Sequence, residues 1–503
     1  MQKSVVEYLE KTVARLPEKV AVKDAKGELT FAELWEHAQI IATAICATGL
    51  RNTPVGVYMP KGCNMVQSFA GISMSGNFYV PLDAKSPNAR VESILNVLES
   101  EIVITDREHE TVLRTFYSKA VLVIEDVLER GEKDERWREA QAKLIDTDPV
   151  YSIFTSGSTG TPKGVVIAHR SVIDFIDWLL ERFAFTSELV IGNQAPFYFD
   201  NSTMDIYLMC ATGGTLCVIP EDNFMFPAKL VDYMNANKIN FVLWVPFVLI
   251  NIANMDIFSQ KKPEYLKYVI FAGEVLSNKH LNYWRKHLPD CMYANMYGPT
   301  EITDICTYYV IDREFAEEEP LPIGIACRNT DLLILVDRKR RAVKGEQGEL
   351  CVRGSSLALG YYNNPEKTAA AFIQNPLQTH YPETIYCTGD IVYENERGEI
   401  MYVGRIDSQI KHNGYRIELG EIENAVLATG QVKNCCLVYD NTNKQIVMHY
   451  QADADLNLGA FRRAMGQYVP RYMFPTVYHR EEILKQNGSG KIDRAYYNKK
   501  VNG

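Results

Sequence analysis

One segment limits the fold more than any other: Thr155-Ser-Gly-Ser-Thr-Gly-Thr-Pro-Lys-Gly164, a run of glycine and hydroxyl residues with one lysine near its end. Glycine lets backbone N–H groups come close to an anion, and serine and threonine hydroxyls add donors, so the run reads as a loop built around phosphate. Its flanks read as strands. Val150-Tyr-Ser-Ile-Phe154 is a short apolar run that delivers the loop, and Gly164-Val-Val-Ile-Ala168 leaves it. No Gly-Lys-Ser/Thr triplet closes a GxxxxGK[ST] frame, so a P-loop kinase or GTPase loses its main support and another class of nucleotide enzyme is indicated.

Downstream, Ser171 with Asp174 has the spacing of a capping box. It would open a helix with Val172, Ile173, Phe175, Ile176, Leu179 and Leu180 on the buried side. Apolar strands and amphipathic helices alternate through Leu350, which predicts α/β architecture. A chain of 503 residues exceeds what one hydrophobic core serves, so at least two domains are expected. The pattern changes at Gly404-Arg-Ile-Asp-Ser408, giving a short charged strand, a helix around Leu419 to Thr429, and apolar strand runs such as Val432 to Val438. The division predicted is a large core over residues 1–406 and a small C-terminal α+β domain over 407–503. No repeat or low-complexity segment interrupts the chain.

Composition narrows the function. A formal net charge of −10 lacks the clustered lysine and arginine that nucleic-acid phosphates require. The N-terminal segment Met1-Gln-Lys-Ser-Val-Val-Glu-Tyr-Leu-Glu10 reads as an amphipathic helix rather than a secretory signal. The longest apolar stretch, Phe241 to Ile250, is too short to span a bilayer and contains Pro246, so a buried strand followed by a turn is expected. Eleven cysteines without a CxxC pair, including adjacent Cys435 and Cys436, read as reduced thiols of a cytoplasmic protein. Nine histidines show no metal-binding spacing. Cys351, Cys387 and His412 read as structural.

The phosphate loop is one of an ordered set of motifs. The others are Leu29-Thr-Phe-Ala-Glu-Leu34, Gly76-Asn-Phe-Tyr-Val-Pro-Leu-Asp83, Phe199-Asp-Asn-Ser202, Asn295-Met-Tyr-Gly-Pro-Thr-Glu301 and Gly348-Glu-Leu350. After them come Gly360-Tyr-Tyr362, Tyr386-Cys-Thr-Gly-Asp390, Gly404-Arg-Ile-Asp-Ser-Gln-Ile-Lys411 with Gly414, and Gly490-Lys-Ile-Asp-Arg494. The set resembles the adenylate-forming (ANL) superfamily over nearly the whole chain. That superfamily includes acyl-CoA synthetases and the adenylation domains of nonribosomal peptide synthetases. Singly, Asp390 would read as a turn residue, Tyr297 as core, and Lys411 and Lys491 as solvated charge. Joint occurrence in order makes the functional reading the stronger one.

The resemblance implies the ANL fold, a multi-subdomain N-terminal domain with mixed and parallel sheets plus a small mobile C-terminal domain hinged at Asp407. It also implies a two-step ligase that uses ATP and Mg²⁺. Thr155, Ser156, Gly157, Ser158, Thr159, Gly160 and Lys163 would hold the β- and γ-phosphates, Thr300 would meet the α-phosphate, and Glu301 would help hold Mg²⁺. Tyr297 would stack on adenine, Asn295 would bond its edge, and Gly273 with Glu274 would line the same pocket. Asp390 would take the ribose hydroxyls, and Arg405 the ribose and phosphate. Lys491 would bridge the α-phosphate and the attacking carboxylate, which is sensible because two anions must meet there. Lys411 and Gly414 would serve the second step, in which the phosphopantetheine thiol of a separate carrier protein attacks the acyl-adenylate. Gly414 would leave room for that arm.

Within the superfamily the decisive residue is Asp200, which pairs with the substrate α-ammonium in amino-acid-activating members. A partly buried ammonium needs such a counter-charge. Standing alone, Asp200 would read as a helix N-cap. The run from Asn193 to Tyr207, followed by Thr212-Gly-Gly-Thr215, is especially similar to D-alanine:carrier-protein ligases, although those commonly carry cysteine where this chain has Ala272. By the same resemblance the substrate pocket comprises Asp200, Asn201, Met204, Leu243, Ile270, Ala272, Met296, Asp304 and Ile305. Asp304 is unexpected in an apolar lining and points to a small or polar amino acid, with a second donor for that carboxylate. An acyl- or aryl-CoA ligase and a catalytically silent nucleotide-binding relative are the competing readings.

Overall fold

The computed structural model describes residues 2–156, 162–406, 409–486 and 492–503. Of the sequence candidates, Gly157, Ser158, Thr159, Gly160, Asp407 and Lys491 lie outside the described residues. The chain forms two compact units. The first comprises Met1–Leu82, Ser100–Ile153 and Val165–Gly404, and the second Asp83–Glu99, Phe154–Gly164 and Arg405–Gly503.

The first unit is built on three sheets. A nine-stranded sheet runs Ile325–Ala326, Thr307–Val310, Met292–Tyr297, Tyr268–Ala272, Phe241–Trp244, Val190–Asn193, Thr215–Val218, Val20–Lys23 and Glu28–Thr30. Its centre is parallel and its two ends antiparallel. A seven-stranded sheet contains Phe78–Leu82, Pro54–Tyr58 and Ile102–Thr105 at its core, paired in parallel. Every residue of those three strands is buried, the signature of a parallel sheet covered on both faces. The strands Pro149–Thr155 and Lys163–Ala168, which flank the phosphate-loop sequence, belong to this sheet too. A third sheet orders Arg340–Arg341, Thr330–Val336, Gly348–Gly354, Thr384–Glu394 and Phe372–Gln374, with Ile400–Arg405 pairing onto Thr384–Glu394.

Two of the sequence motifs prove to be local architecture. In Leu29-Thr-Phe-Ala-Glu-Leu34, the Thr30 hydroxyl accepts from the Glu33 amide (3.2 Å) and the Glu33 carboxylate from the Thr30 amide (2.7 Å). This capping box opens the helix Phe31–Cys46. In Gly76-Asn-Phe-Tyr, the Asn77 side chain accepts from Thr53 N at 3.1 Å and donates to Leu50 O at 3.1 Å, stitching the starts of two strands.

Two local expectations are corrected. The helix after the phosphate loop begins at His169, two residues before Ser171, and has no side-chain cap. The Ser171 hydroxyl instead donates to Ser355 O at 2.7 Å, and Asp174 accepts from Ser355 Oγ and from Asn329 Nδ2, so the presumed box is a tertiary tie. The strand Phe241–Trp244 is followed by the helix Pro246–Asn254 rather than by a turn. Pro246 sits at the first helical position, where its missing N–H costs nothing.

The second unit pairs Gln409–His412 with Tyr415–Glu418, and Asn434–Asp440 with Gln445–Gln451 and Val477–Arg480. Helices Leu419–Ala428, Leu458–Met465 and Arg494–Asn502 complete its α+β pattern. Arg90, from the helix Asn88–Leu98, forms a buried ion pair with Glu421, which ties residues 83–99 to this unit.

Candidate functional site

Strand alternation divides the candidates of the first unit between two faces of one sheet. Along Met292–Tyr297, residues Ala294 and Met296 face one way and Asn295 and Tyr297 the other. Register extends the first face, since Leu243 lies opposite Ile270, Ile270 opposite Ala294, and Ala272 opposite Met296. These residues join Met204 and Ile305 in one contiguous buried cluster. All six apolar residues assigned to the amino acid, Met204, Leu243, Ile270, Ala272, Met296 and Ile305, thus lie in the main buried core, and strand register sets Leu243, Ile270, Ala272 and Met296 on one face.

On the other face, Tyr297 is buried and its hydroxyl donates to Asp390 Oδ2. Burial, and then the Asp390 charge, hold the Tyr297 phenol well above its usual range, so it remains a donor. Asp390 is set by its own motif. The Thr388 hydroxyl donates to Leu350 O (2.8 Å) and accepts from Asp390 N (3.0 Å), while Gly389 N donates to Glu349 Oε1 (3.0 Å). The Asn295 amide donates to Pro322 O at 2.7 Å. Gly273, with φ of +97°, ends the strand Tyr268–Ala272 and leads to half-buried Glu274.

The Tyr-Gly-Pro-Thr-Glu segment ends in the 3₁₀ turn Thr300–Ile302. Gly298 is required here, because a Cβ at that position would lie 2.1 Å from Asp304 O. Thr303 and Asp304 follow with φ of +54° and +70°, a costly conformation for residues with a Cβ. The Thr303 hydroxyl pins the turn by donating to Ser356 O at 2.7 Å. Glu301 is fully buried, and Tyr361 donates its hydroxyl to Oε1 at 2.7 Å. A single oriented carboxylate suits Mg²⁺, which keeps waters and takes remaining oxygens from phosphate. The metal-competent clusters among the described residues, Glu349/Cys351/Cys387 and Asp106/Glu108/His109, do not include Glu301.

Asp200 is the N-cap of the helix Asn201–Thr212 and accepts from Asn201 N at 3.0 Å. Capping and counter-charge are compatible, since a carboxylate has lone pairs for both. Asp304 is 2 % exposed, and its Oδ2 has no hydrogen-bond partner among the described residues. Burial, then the charges of Asp200 and Asp205, push its carboxyl well above the usual range. Asp205 is a functional candidate that the sequence reading missed. It is fully buried, accepts from Asn193 Nδ2 at 2.9 Å, and is pushed up to about 7 by burial. Its signal was visible as a charge in the middle of the buried segment Ser202–Cys210.

In the second unit, the Ser156 hydroxyl donates to Arg416 O at 2.6 Å, and Thr155 and Lys163 are half-buried. Arg405 is half-buried at the end of the strand Ile400–Arg405. Lys411 lies on the strand Gln409–His412. His412 pairs with Tyr415, leaving Asn413 and Gly414 as a two-residue loop with φ of +53° and +84°. Positive φ at both central positions is the type I′ hairpin, which favours Asn-Gly. Gly414 therefore has a local reason to be glycine, independent of any passing arm.

Relatives match this chain over nearly its whole length. Zwittermicin A synthase ZmaJ of Bacillus cereus is 31% identical over 98% of this chain and 94% of its own length. A D-alanine–D-alanyl carrier protein ligase of Lacticaseibacillus paracasei is 30% identical over 98% of both chains. The Vibrio cholerae adenylation domain AlmE, solved with glycyl-adenosine-5′-phosphate, superposes with a TM-score of 0.85 at 20% identity, covering 100% of this chain and 98% of that one, which shows a shared fold. The AMP-binding enzyme family matches residues 9–362, and the chain belongs to that family.

Proposed function

We propose that this chain is an amino acid–carrier protein ligase. Its substrate carboxylate attacks the α-phosphorus of ATP, giving an aminoacyl-adenylate and pyrophosphate. A phosphopantetheine thiol of a separate carrier protein then attacks the acyl carbon, forming a thioester and releasing AMP. The observation that carries the reading is the two-faced sheet: Leu243, Ile270, Ala272 and Met296 lie on its buried apolar side, the Tyr297–Asp390 pair on the other, and Asp200 is near enough to buried Asp304 for its charge to act there. An acyl-binding site without an amine would leave Asp200 with its helix-capping role alone.

Residue roles follow from chemistry. Asp200 pairs with the α-ammonium, and Asn201, Met204, Leu243, Ile270, Ala272, Met296 and Ile305 bound the side chain. Half-buried Asp200 and buried Asp205 lie close enough to raise the proton affinity of buried Asp304, which favours a small or polar amino acid that brings a donor to Asp304. Tyr297, Asn295, Gly273 and Glu274 receive adenine, and Asp390 with Arg405 the ribose. Thr155, Ser156, Lys163 and Thr300 receive phosphate oxygens, together with the loop residues between Ser156 and Lys163. Glu301 would hold Mg²⁺, which supplies charge neutralisation on the phosphates. Lys491 serves adenylation, and Lys411 serves thioester formation after the C-terminal domain turns about Asp407. A relative named as a carrier protein ligase supports a carrier protein as acceptor, and the cytoplasm, with its ATP and reduced thiols, is the compartment the reaction requires.

The test is exchange of labelled pyrophosphate into ATP across all D- and L-amino acids, with fatty and aryl acids alongside. Exchange with a small or polar amino acid supports the reading. A signal confined to non-amino acids removes Asp200 from its role and points to a CoA ligase. Lys491→Ala is expected to abolish exchange while ATP binding survives.

A further inference from the structure

The third sheet of the first unit holds a pair of thiols that the ligase reaction does not use. Cys351, on Gly348–Gly354, lies directly opposite Cys387, on Thr384–Glu394. Antiparallel partners have Cα atoms about 4.5 or 5.5 Å apart, and both spacings fall within the window a disulfide accepts. The side chains already meet: Cys351 donates its thiol to Cys387 across a Sγ–Sγ distance of 3.4 Å. They sit in a small apolar cluster with Leu333, Leu335 and Ile385.

Two features distinguish this pair from inert core cysteine. The donated hydrogen bond, aided by the nearby Arg338 guanidinium, lowers the Cys387 thiol below its usual range. The neighbouring ladder also stops there. Phe372–Gln374 pairs with Thr384–Tyr386 and its last rung is Phe372 opposite Tyr386, so the backbone at Cys387 lies just past the end of that ladder while its side chain, like that of Cys351, is buried. A Glu349 carboxylate oxygen lies within 4.8 Å of both sulfurs, yet that carboxylate already accepts three hydrogen bonds. Its Oε1 accepts from Arg338 Nη2 and Gly389 N, and its Oε2 from Arg338 Nε. A metal would have to displace an arginine fork; a disulfide displaces nothing.

We propose that Cys351 and Cys387 are a redox modification site, a dithiol that a small hydroperoxide converts reversibly to a cross-strand disulfide. Cys387 gives up its proton and its thiolate attacks the peroxide oxygen; the O–O bond breaks, giving a sulfenic acid, and the leaving oxygen takes up that proton and departs as water or an alcohol. Cys351 sulfur then attacks Cys387 sulfur, the S–O bond breaks, and its oxygen leaves as water with the Cys351 proton. One peroxide bond is reduced for each dithiol oxidised. The sulfurs must close from 3.4 Å to about 2.05 Å, which a rotation of each side chain supplies. The product bolts together the two strands that carry Glu349 and Asp390.

The full-length protein is exposed to hydrogen peroxide, its remaining thiols are alkylated without denaturant and again after denaturation, and non-reduced peptides are mapped by mass spectrometry. The expected result is a 351–387 cross-linked peptide lacking two hydrogens, reversed by dithiothreitol, and a raised Tm for the oxidised wild type. Neither change is expected in Cys351→Ser or Cys387→Ser. Recovery of both cysteines as free thiols after half-buried Cys46 and Cys291 have oxidised overturns the proposal. Stoichiometric zinc bound by the untreated protein, lost in both variants and protecting the pair from peroxide, also overturns it in favour of a metal site.

Discussion

Asp390 and Asp304 are equally buried, each 2 % exposed, and belong to the same unit, yet the fold treats them in opposite ways. Asp390 is surrounded by protein partners: Tyr297 donates to its carboxylate, Thr388 accepts from its amide, and the adjacent Gly389 is tied to Glu349. The Asp304 carboxylate has an oxygen without a hydrogen-bond partner among the described residues, on a turn whose two left-handed residues are themselves costly. A buried polar group that the protein leaves unmatched is matched by something else, or is held neutral. On the proposed function, the contrast would separate a carboxylate fixed in advance for a nucleotide common to all turnovers from one whose partner depends on the substrate.

The largest effect should come from Asp390→Asn. Exchange should fall by about 3 kcal/mol in kcat/KM for ATP, or ~100-fold, because charged hydrogen bonds to two hydroxyls become neutral ones. The loss should be equal for every amino acid tested. A loss that varied with the amino acid would place Asp390 in the wrong pocket and dissolve the contrast.

The next effect is on stability. The Asp205 carboxyl is raised to about 7 in the folded protein, so the native state keeps a proton that the unfolded chain has released above the ordinary carboxylate range. Stability is present below that range and is lost as pH rises toward 7. Asp205→Asn should therefore gain Tm over wild type, and the gain should grow between pH 5.5 and pH 8 by about 2 kcal/mol. A gain independent of pH would mean that Asp205 is ionised throughout. Asp304→Asn should gain with pH in the same direction, for the same reason. Its sharper readout is specificity: the preferred amino acid should lose ~10-fold or more against its nearest competitor while KM for ATP stays unchanged. Unchanged preference would leave Asp304 a structural carboxylate and remove the argument for a second substrate donor.

Much of this was legible in the sequence because motif residues fix local geometry. Period-2 alternation separates Met296 from Tyr297 on paper as it does in the sheet, and the spacing of Thr30 and Glu33 is a capping box in both. The same spacing misleads at Ser171 and Asp174, where Ser355, Asn329 and Arg328 offer tertiary partners that no local rule contains. Pro246 was legible as the end of a strand but not as the start of a helix, because proline is suited to both positions. Asp205 escaped for a related reason. Burial of a charge in mid-helix is set by what packs around it, here Asn193 and the core, and periodicity does not report that.

Gly414 tests the same distinction at the level of a backbone. A type I′ hairpin alone accounts for it, as protein partners account for the placement of Asp390; a pantetheine passage would make it resemble Asp304, a residue whose reason is a ligand. Gly414→Ala does not separate these, since a Cβ in the left-handed region costs about 1–2 kcal/mol whatever passes nearby. Gly414→Asn does, because asparagine adopts that region readily and keeps the turn while adding a side chain. If the turn is the whole reason, Gly414→Asn should retain both pyrophosphate exchange and thioester formation on a carrier protein within about twofold, and only Gly414→Ala should lower Tm. If the glycine clears a path, Gly414→Asn should keep exchange and Tm but lose thioester formation. On the proposed function we expect the second outcome, since a thiol arm approaching the backbone there would be obstructed by any added side chain, whereas the hairpin alone would accept asparagine.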